Sequence, residues 1–157
     1  MDAITILRDD HDKVRKLFTE FERSGDSGPK ERRRIADRII EELTVHAYIE
    51  EEFFYPTVAG LGFETKGDTA DDLVKEAVVE HTQVKELLAE LETMSPQDEY
   101  FDAKVTVVID DVRHHAEEEE TEMFPKVREA MGRNDLQDLG QRMLEAKEKA
   151  PRRPSEA

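Results

Sequence analysis

Two stretches of the chain carry the same spacing of histidine and glutamate: His46-Ala-Tyr-Ile-Glu50 and His115-Ala-Glu-Glu-Glu119. Each histidine stands ten residues before a proline, Pro56 and Pro125. Residues four apart on a helix share one face, with Cβ atoms about 6 Å apart, so both side chains of such a pair can reach one ion. A further histidine lies upstream of each pair, His11 before the first and His81 before the second. Two copies of this set point to a dinuclear metal site inside a helical bundle.

The elements that must hold these residues are themselves duplicated. With His11 placed on His81, Val14 falls on Val84, Leu17 on Leu87, Phe18 on Leu88 and Glu20 on Glu90. The repeating unit is a helix with one histidine, a turn, and a helix with His-x-x-x-Glu. A repeat of this kind decides the architecture before any single helix does. It predicts an all-α fold: an up-down four-helix bundle built from two αα-hairpins. The helices are expected from about Asp2 to Arg23, from Lys30 past Phe53, from Asp68 or Thr69 to Met94, and from Glu99 to Met131. The loop from Gly60 to Gly67 separates the repeats. The run Val105-Thr-Val-Val-Ile109 has β propensity but lies inside a helical pattern. Leu136, Leu139, Met143 and Leu144 mark a short fifth helix. Residues 1–150 form one domain, and 151–157 are expected to be a disordered tail.

The seams of the four helices run Leu7, His11, Val14, Phe18; Ile39, Leu43, His46, Glu50; Ala77, His81, Val84, Leu88; and Val108, Val112, His115, Glu119. These steps of three and four point every named polar group inward. An ionised carboxylate in a dry core costs several kcal/mol unless paired, and no Lys or Arg shares these seams. Neutralisation falls to a metal ion or to bound protons. Imidazole and carboxylate donors without sulfur suit iron, manganese or zinc. Six ligands fit two ions, each with two histidines, bridged by both carboxylates. His114, 100° off the seam, is read as a rim histidine. Glu51, Glu52, Glu117, Glu118, Glu120 and Glu122 are read as a solvated face. Tyr48 and Tyr55 lie near the site in sequence; either could reach a metal, and Tyr48 is the candidate general acid.

Composition narrows the remaining classes. The 157 residues carry a net charge of −16, which disfavours nucleic acid and anionic membrane as partners. The absence of cysteine excludes disulfides, thiolate zinc and iron–sulfur clusters. No basic, apolar leader and no apolar run of membrane-spanning length is visible, so a soluble cytoplasmic protein is expected.

His11, His46-x-x-x-Glu50, His81 and His115-x-x-x-Glu119, in this order on four helices, resemble the hemerythrin-like family, the HHE cation-binding domain, over roughly Ile4 to Met131. The resemblance implies two iron ions in a non-haem, oxo- or hydroxo-bridged di-iron centre. It implies His11, His46, His81 and His115 as iron ligands and Glu50 and Glu119 as bridges. Three departures stand out. Oxygen carriers of the family have a second histidine where this chain has Lys85. They place an aspartate five residues after the fourth-helix histidine, where Glu119 here stands four after it. Some iron-sensing relatives have a glutamate where this chain has Ala47. One iron then lacks a protein ligand, and an open position favours small-molecule chemistry. The expected function is binding or turnover of oxygen, peroxide or nitric oxide in oxidative or nitrosative stress, with weak catalase-like activity. The alternative is an iron or oxygen sensor or an oxygen store.

Overall fold

The computed structural model describes residues 1–157. Its helices are α1 (Ala3–Glu22), α2 (Pro29–Ile49), α3 (Tyr55–Ala59), α4 (Ala70–Thr93), α5 (Phe101–Glu118), α6 (Phe124–Ala130) and α7 (Arg133–Lys147). Glu50–Phe54 and Glu119–Met123 are π-helical turns that join α2 to α3 and α5 to α6. The chain therefore forms four long rods and a fifth helix. α1 packs on α2, α4 on α5, α2 on α4 and α1 on α5, which closes the bundle, while α7 lies against α1 and α2.

Local chemistry sets the helix starts. Asp2 caps α1 by accepting from the Thr5 N–H at 2.8 Å. Thr69 caps α4 in a reciprocal box with Asp72, so of the two cap candidates it is Thr69 that serves. Asp68 instead pairs in a minimal antiparallel ladder, β1 (Glu64–Thr65) with β2 (Asp68–Thr69). Its turn residues Lys66 and Gly67 have φ of 52° and 85°, the left-handed pair that a two-residue hairpin requires. The sequence offers no alternation to announce so short a ladder. Val105–Ile109 is helical, because Val105, Val108 and Ile109 bury one face of α5.

Two apolar clusters fill the interior. One contains Ile4, Leu7, Ile49, Phe54, Phe124 and the buried face of α7. The other contains Val14, Phe18, Ile39, Leu43, Leu88, Phe101 and Val108. The polar residues of the seams lie in a layer between them. The fifth helix is longer than four apolar residues suggested. It docks through Leu136, Leu139 and Met143, and Gly140 lets it approach the backbone of Met1, Asp2 and Ala3. A β-carbon there would clash with backbone atoms, so Gly140→Ala is expected to destabilise the fold by about 1–3 kcal/mol. Urea denaturation measures this, and an unchanged midpoint would show that α7 is loosely docked.

Residues 151–157 do not behave as the expected disordered tail. Pro154–Glu156 forms a 3₁₀ turn, the Ser155 hydroxyl donates to Glu92 Oε1 at 2.6 Å, and Arg152 donates to Glu41 at 3.0 Å. Polar pairing with α4 and α2 holds the segment, which its composition alone could not reveal.

Candidate metal centre

All six seam residues meet in the layer between the two apolar clusters. His11, His46, Glu50 and Glu119 bring ligand atoms within 4.8 Å of one another, and Glu50, His81 and His115 do the same. Each histidine pair comes from one hairpin, and Glu50 belongs to both groups. Glu50 is completely buried and Glu119 is 2% exposed. His114 lies outside, paired with Glu118 at 3.0 Å and 72% exposed.

The π turns explain how the layer is assembled. The Tyr55 N–H donates to Glu50 O and the Phe124 N–H to Glu119 O, five residues apart instead of four. Pro56 and Pro125 come directly after. Proline has no N–H to donate and its ring crowds the preceding turn, so a widened turn relieves the helix at that point. The extra residue also rotates the helix beyond it. On an unbroken helix Tyr55 would lie about 140° from Glu50. One inserted residue swings it back by about 100° and into the site. Its phenol is 1% exposed and donates to Glu119 Oε2 at 2.6 Å. Tyr55 Oη also lies 3.0 Å from His115 Nε2 and 3.2 Å from His81 Nε2. In the second repeat the equivalent position is Phe124, whose ring stacks on His11 with centroids 5.9 Å apart. Tyr48, the general-acid candidate of the sequence, instead lines a groove beside Glu52 and the C-terminal segment. The tyrosine of the site is Tyr55.

Each of the four histidines has a carboxylate on its outer nitrogen. Asp10 Oδ2 lies 2.9 Å from His46 Nδ1 and Glu120 Oε2 lies 2.7 Å from His11 Nδ1. Glu51 and Glu80 are each 2.9 Å from Nδ1 of His81 and His115. An ionised carboxylate only accepts, so each Nδ1 carries a proton and each Nε2 faces inward. Such outer carboxylates fix the orientation and basicity of metal-ligating imidazoles. Glu51 and Glu120 are therefore not the solvated face that their acidic runs suggested, and Asp10 and Glu80 went unnoticed. The only trace in the sequence is position: Asp10 and Glu80 directly precede His11 and His81, and Glu51 and Glu120 directly succeed Glu50 and Glu119. Lys85 is explained as well. It donates to Glu51 Oε1 at 2.5 Å and so supports His81 from outside.

Charge is tightly shared among these buried groups. Burial pulls the His46 pKa down, but Glu50 and Asp10 outweigh it and push it up to about 10. Burial likewise opposes protonation of His115, and Glu119, Glu80 and Glu50 push it up to about 11. Burial would raise Glu119, yet His115 and His11 hold it well below the usual carboxylate range. Burial, Glu119 and Glu50 raise the Tyr55 phenol well above its ordinary value, so its proton stays on. Even so, His11 Nε2, both oxygens of Glu50 and Glu119 Oε1 are buried without a hydrogen bond. His11 Nε2 and Glu119 Oε1 are only 3.1 Å apart, but they are misaligned for hydrogen bonding. Unpaired donor atoms converging from four rods fit cations better than they fit one another. A cavity of about 280 Å³ reaches the four histidines. Val14, Leu43, Val84, Leu88 and Val112 line its apolar part, and Gln83, Asp111 and His114 also border it.

The sequence profile of the hemerythrin HHE cation-binding domain matches residues 2–127. A curated protein of Nostoc sp. named DNA nickase is 31% identical over 153 residues, which is 98% of this chain and 41% of that protein. The chain thus spans about two fifths of that relative's length. Among solved structures, a hemerythrin HHE cation-binding domain-containing protein of Mycobacterium kansasii superposes with a TM-score of 0.77 at 24% identity, over 95% of this chain and 86% of that one. That likeness bears on the fold. No helix is long and apolar enough to cross a membrane.

Proposed function

The chain belongs to the hemerythrin HHE cation-binding domain family, and on that premise we propose that it is a cytoplasmic non-haem di-iron protein that binds or turns over oxygen, peroxide or nitric oxide in oxidative or nitrosative stress. The observation that carries this reading is the set of buried ligand atoms without hydrogen-bond partners: His11 Nε2, Glu50 Oε1 and Oε2, and Glu119 Oε1. His11, His46, Glu50 and Glu119 would hold one iron, and Glu50, His81 and His115 the other. Iron bound there would supply a redox-active Lewis acid for a small oxidant. The chain does the rest. Its outer carboxylates would orient the four imidazoles so that each Nε2 gives up its proton to face an ion. The cavity gives a small molecule a partly apolar path to the four histidines. Tyr55 Oη holds a proton beside Glu119 and the second histidine pair. Lys85 is engaged with Glu51 and adds no ligand, which supports an exchangeable position.

Metal analysis of protein produced with ample iron is expected to approach two ions per chain, one for each ligand group. A reproducible value of one, with all six residues intact, would overturn the dinuclear reading. The loaded protein should consume peroxide faster than free iron in the same buffer. Reversible oxygen uptake without peroxide consumption would instead favour storage.

Metal that binds only the folded chain stabilises it by roughly 4 kcal/mol when free metal is a thousandfold above its Kd. For a chain of this size, each kcal/mol moves Tm by about 2–4 °C. Chelation is therefore expected to lower Tm by roughly 10 °C in a calorimetric scan, and an unchanged melt would show that the polar layer is satisfied without metal. DNA nicking, named for the Nostoc relative, is the second reading, favoured by the match over 98% of this chain. The net charge of −16 opposes approach to a phosphate backbone. Iron-loaded protein is expected to leave supercoiled plasmid intact at physiological salt, and accumulation of the open circular form would reverse the ranking.

A further inference from the structure

The two hairpins repeat the supports of the ligands as well as the ligands, and the repeat fails at one point. With His11 on His81, Asp10 falls on Glu80, Arg15 on Lys85, and, in the second helices, Glu51 on Glu120. Glu120 holds His11 and is itself held by Arg15 at 3.0 Å. Glu51 holds His81 and is held by Lys85 at 2.5 Å. These two relays are equivalent. The other two begin alike, Asp10 on His46 and Glu80 on His115. Only Asp10 has a third member. Lys147, at the end of α7, donates to Asp10 Oδ1 at 2.5 Å. No lysine or arginine forms an ion pair with Glu80, whose side chain is 39% exposed against 10% for Asp10.

We propose that α7, through Lys147 and Asp10, makes the two metal positions unequal: the His11–His46 position holds its ion tightly, and the His81–His115 position exchanges. The proposal rests on the metal reading above. α7 lies beyond residues 2–127, which the family profile covers, so this lock is an addition to the four-rod site. The lysine is not a loose surface charge. Leu136, Leu139 and Met143 are at most 3% exposed and anchor its helix, and Gly140 sets that helix directly on the start of α1. Asp10 sits at the meeting of the two helices. With Oδ1 held by Lys147, Oδ2 is aimed at His46 Nδ1, and the imidazole loses its freedom to turn. Glu80 has no such anchor, so its hold on His115 rests on a half-exposed side chain alone. The ligand sets agree in direction, since four groups converge on the first position and three on the second.

Lys147 is thus a positioning residue, and its test must separate positioning from general stability. Ferrous iron removed from the loaded wild-type protein by a competing chelator should leave in two phases of similar amplitude. Lys147→Met should weaken the tight phase by roughly tenfold, the lower end of what outer-shell changes cost, and leave the weak phase in place. Lys147→Arg should restore most of the difference. Leu136→Ala, which weakens α7 at its far end, should lower the melting temperature yet keep the two phases apart. A readout free of metal is the solvent exchange of the imidazole N–H protons, monitored by side-chain nitrogen NMR. Lys147→Met should speed exchange at His46 Nδ1 and leave His115 unchanged. Two ions leaving the wild type as one phase, or Lys147→Met weakening both phases equally or neither, would overturn this proposal alone. A wild-type protein that takes up no ion would overturn the metal reading and this proposal with it.

Discussion

Glu50→Ala will weaken metal binding at both positions, whereas Glu119→Ala will weaken it at one. The difference comes from geometry. Glu50 Oε1 lies 3.0 Å from His46 Nε2 and 3.2 Å from His81 Nε2, one histidine from each pair. Glu50 is thus shared by both ligand groups, and Glu119 belongs to one. Without Glu50 the second group is reduced to His81 and His115. The first keeps two histidines and Glu119, whose other oxygen is already engaged by Tyr55. The helices should survive either change, because the apolar clusters above and below the layer do not depend on these carboxylates. Metal analysis and circular dichroism on the same samples measure both outcomes. His114→Ala, at the exposed rim, should keep both ions. If Glu50→Ala held both ions as tightly as the wild type, or if Glu119→Ala lost as much as Glu50→Ala, the shared role assigned to Glu50 would be wrong.

The parts of this protein that were legible in its sequence are those governed by one helix at a time. A heptad-like seam states which residues of a helix point inward, and this placed His11, His46, Glu50, His81, His115 and Glu119 in one layer. It also carried Val105–Ile109 through as helix against its β propensity, because three of those residues bury a common face. What escaped depends on two elements at once. Glu51 and Glu120 sit about 100° off their own seams, the direction of solvent on a lone helix. In the bundle that direction leads to the outer nitrogen of a histidine on the neighbouring rod. Asp10 reads as a surface acid until α7 lies over it with Lys147. Tyr55 escaped because periodicity assumes a constant turn. Pro56 was visible as a disturbance of the helix, but its effect is a wide turn that keeps the helix going and changes its phase. A proline ten residues after each ligand histidine was the available clue, and it was present twice.

That change of phase leads to the second large effect. Tyr55→Phe should lower peroxide turnover by roughly 100-fold, the lower range for loss of a placed hydrogen-bond donor, while both ions remain bound. The two halves of the site make this a sparing substitution. Phe124 occupies the equivalent register in the second repeat and is completely buried, so the fold already accommodates a phenyl ring there. What disappears is the hydroxyl that donates to Glu119 Oε2 at 2.6 Å and lies 3.0 Å from His115 Nε2. Burial together with Glu119 and Glu50 keeps this phenol protonated far above neutral pH. It therefore stays a hydrogen-bond donor to Glu119, and no other uncharged hydroxyl approaches the ligand layer as closely. Loss of the donor also leaves a buried carboxylate oxygen unpaired, at a cost of about 1–3 kcal/mol, which should appear as a lower melting temperature of the metal-free protein. Tyr48→Phe, facing the groove beside Glu52, should change neither quantity. Unchanged turnover in Tyr55→Phe, with iron content and oxidation state matched to the wild type, would remove Tyr55 from the chemistry and leave it as a support for Glu119.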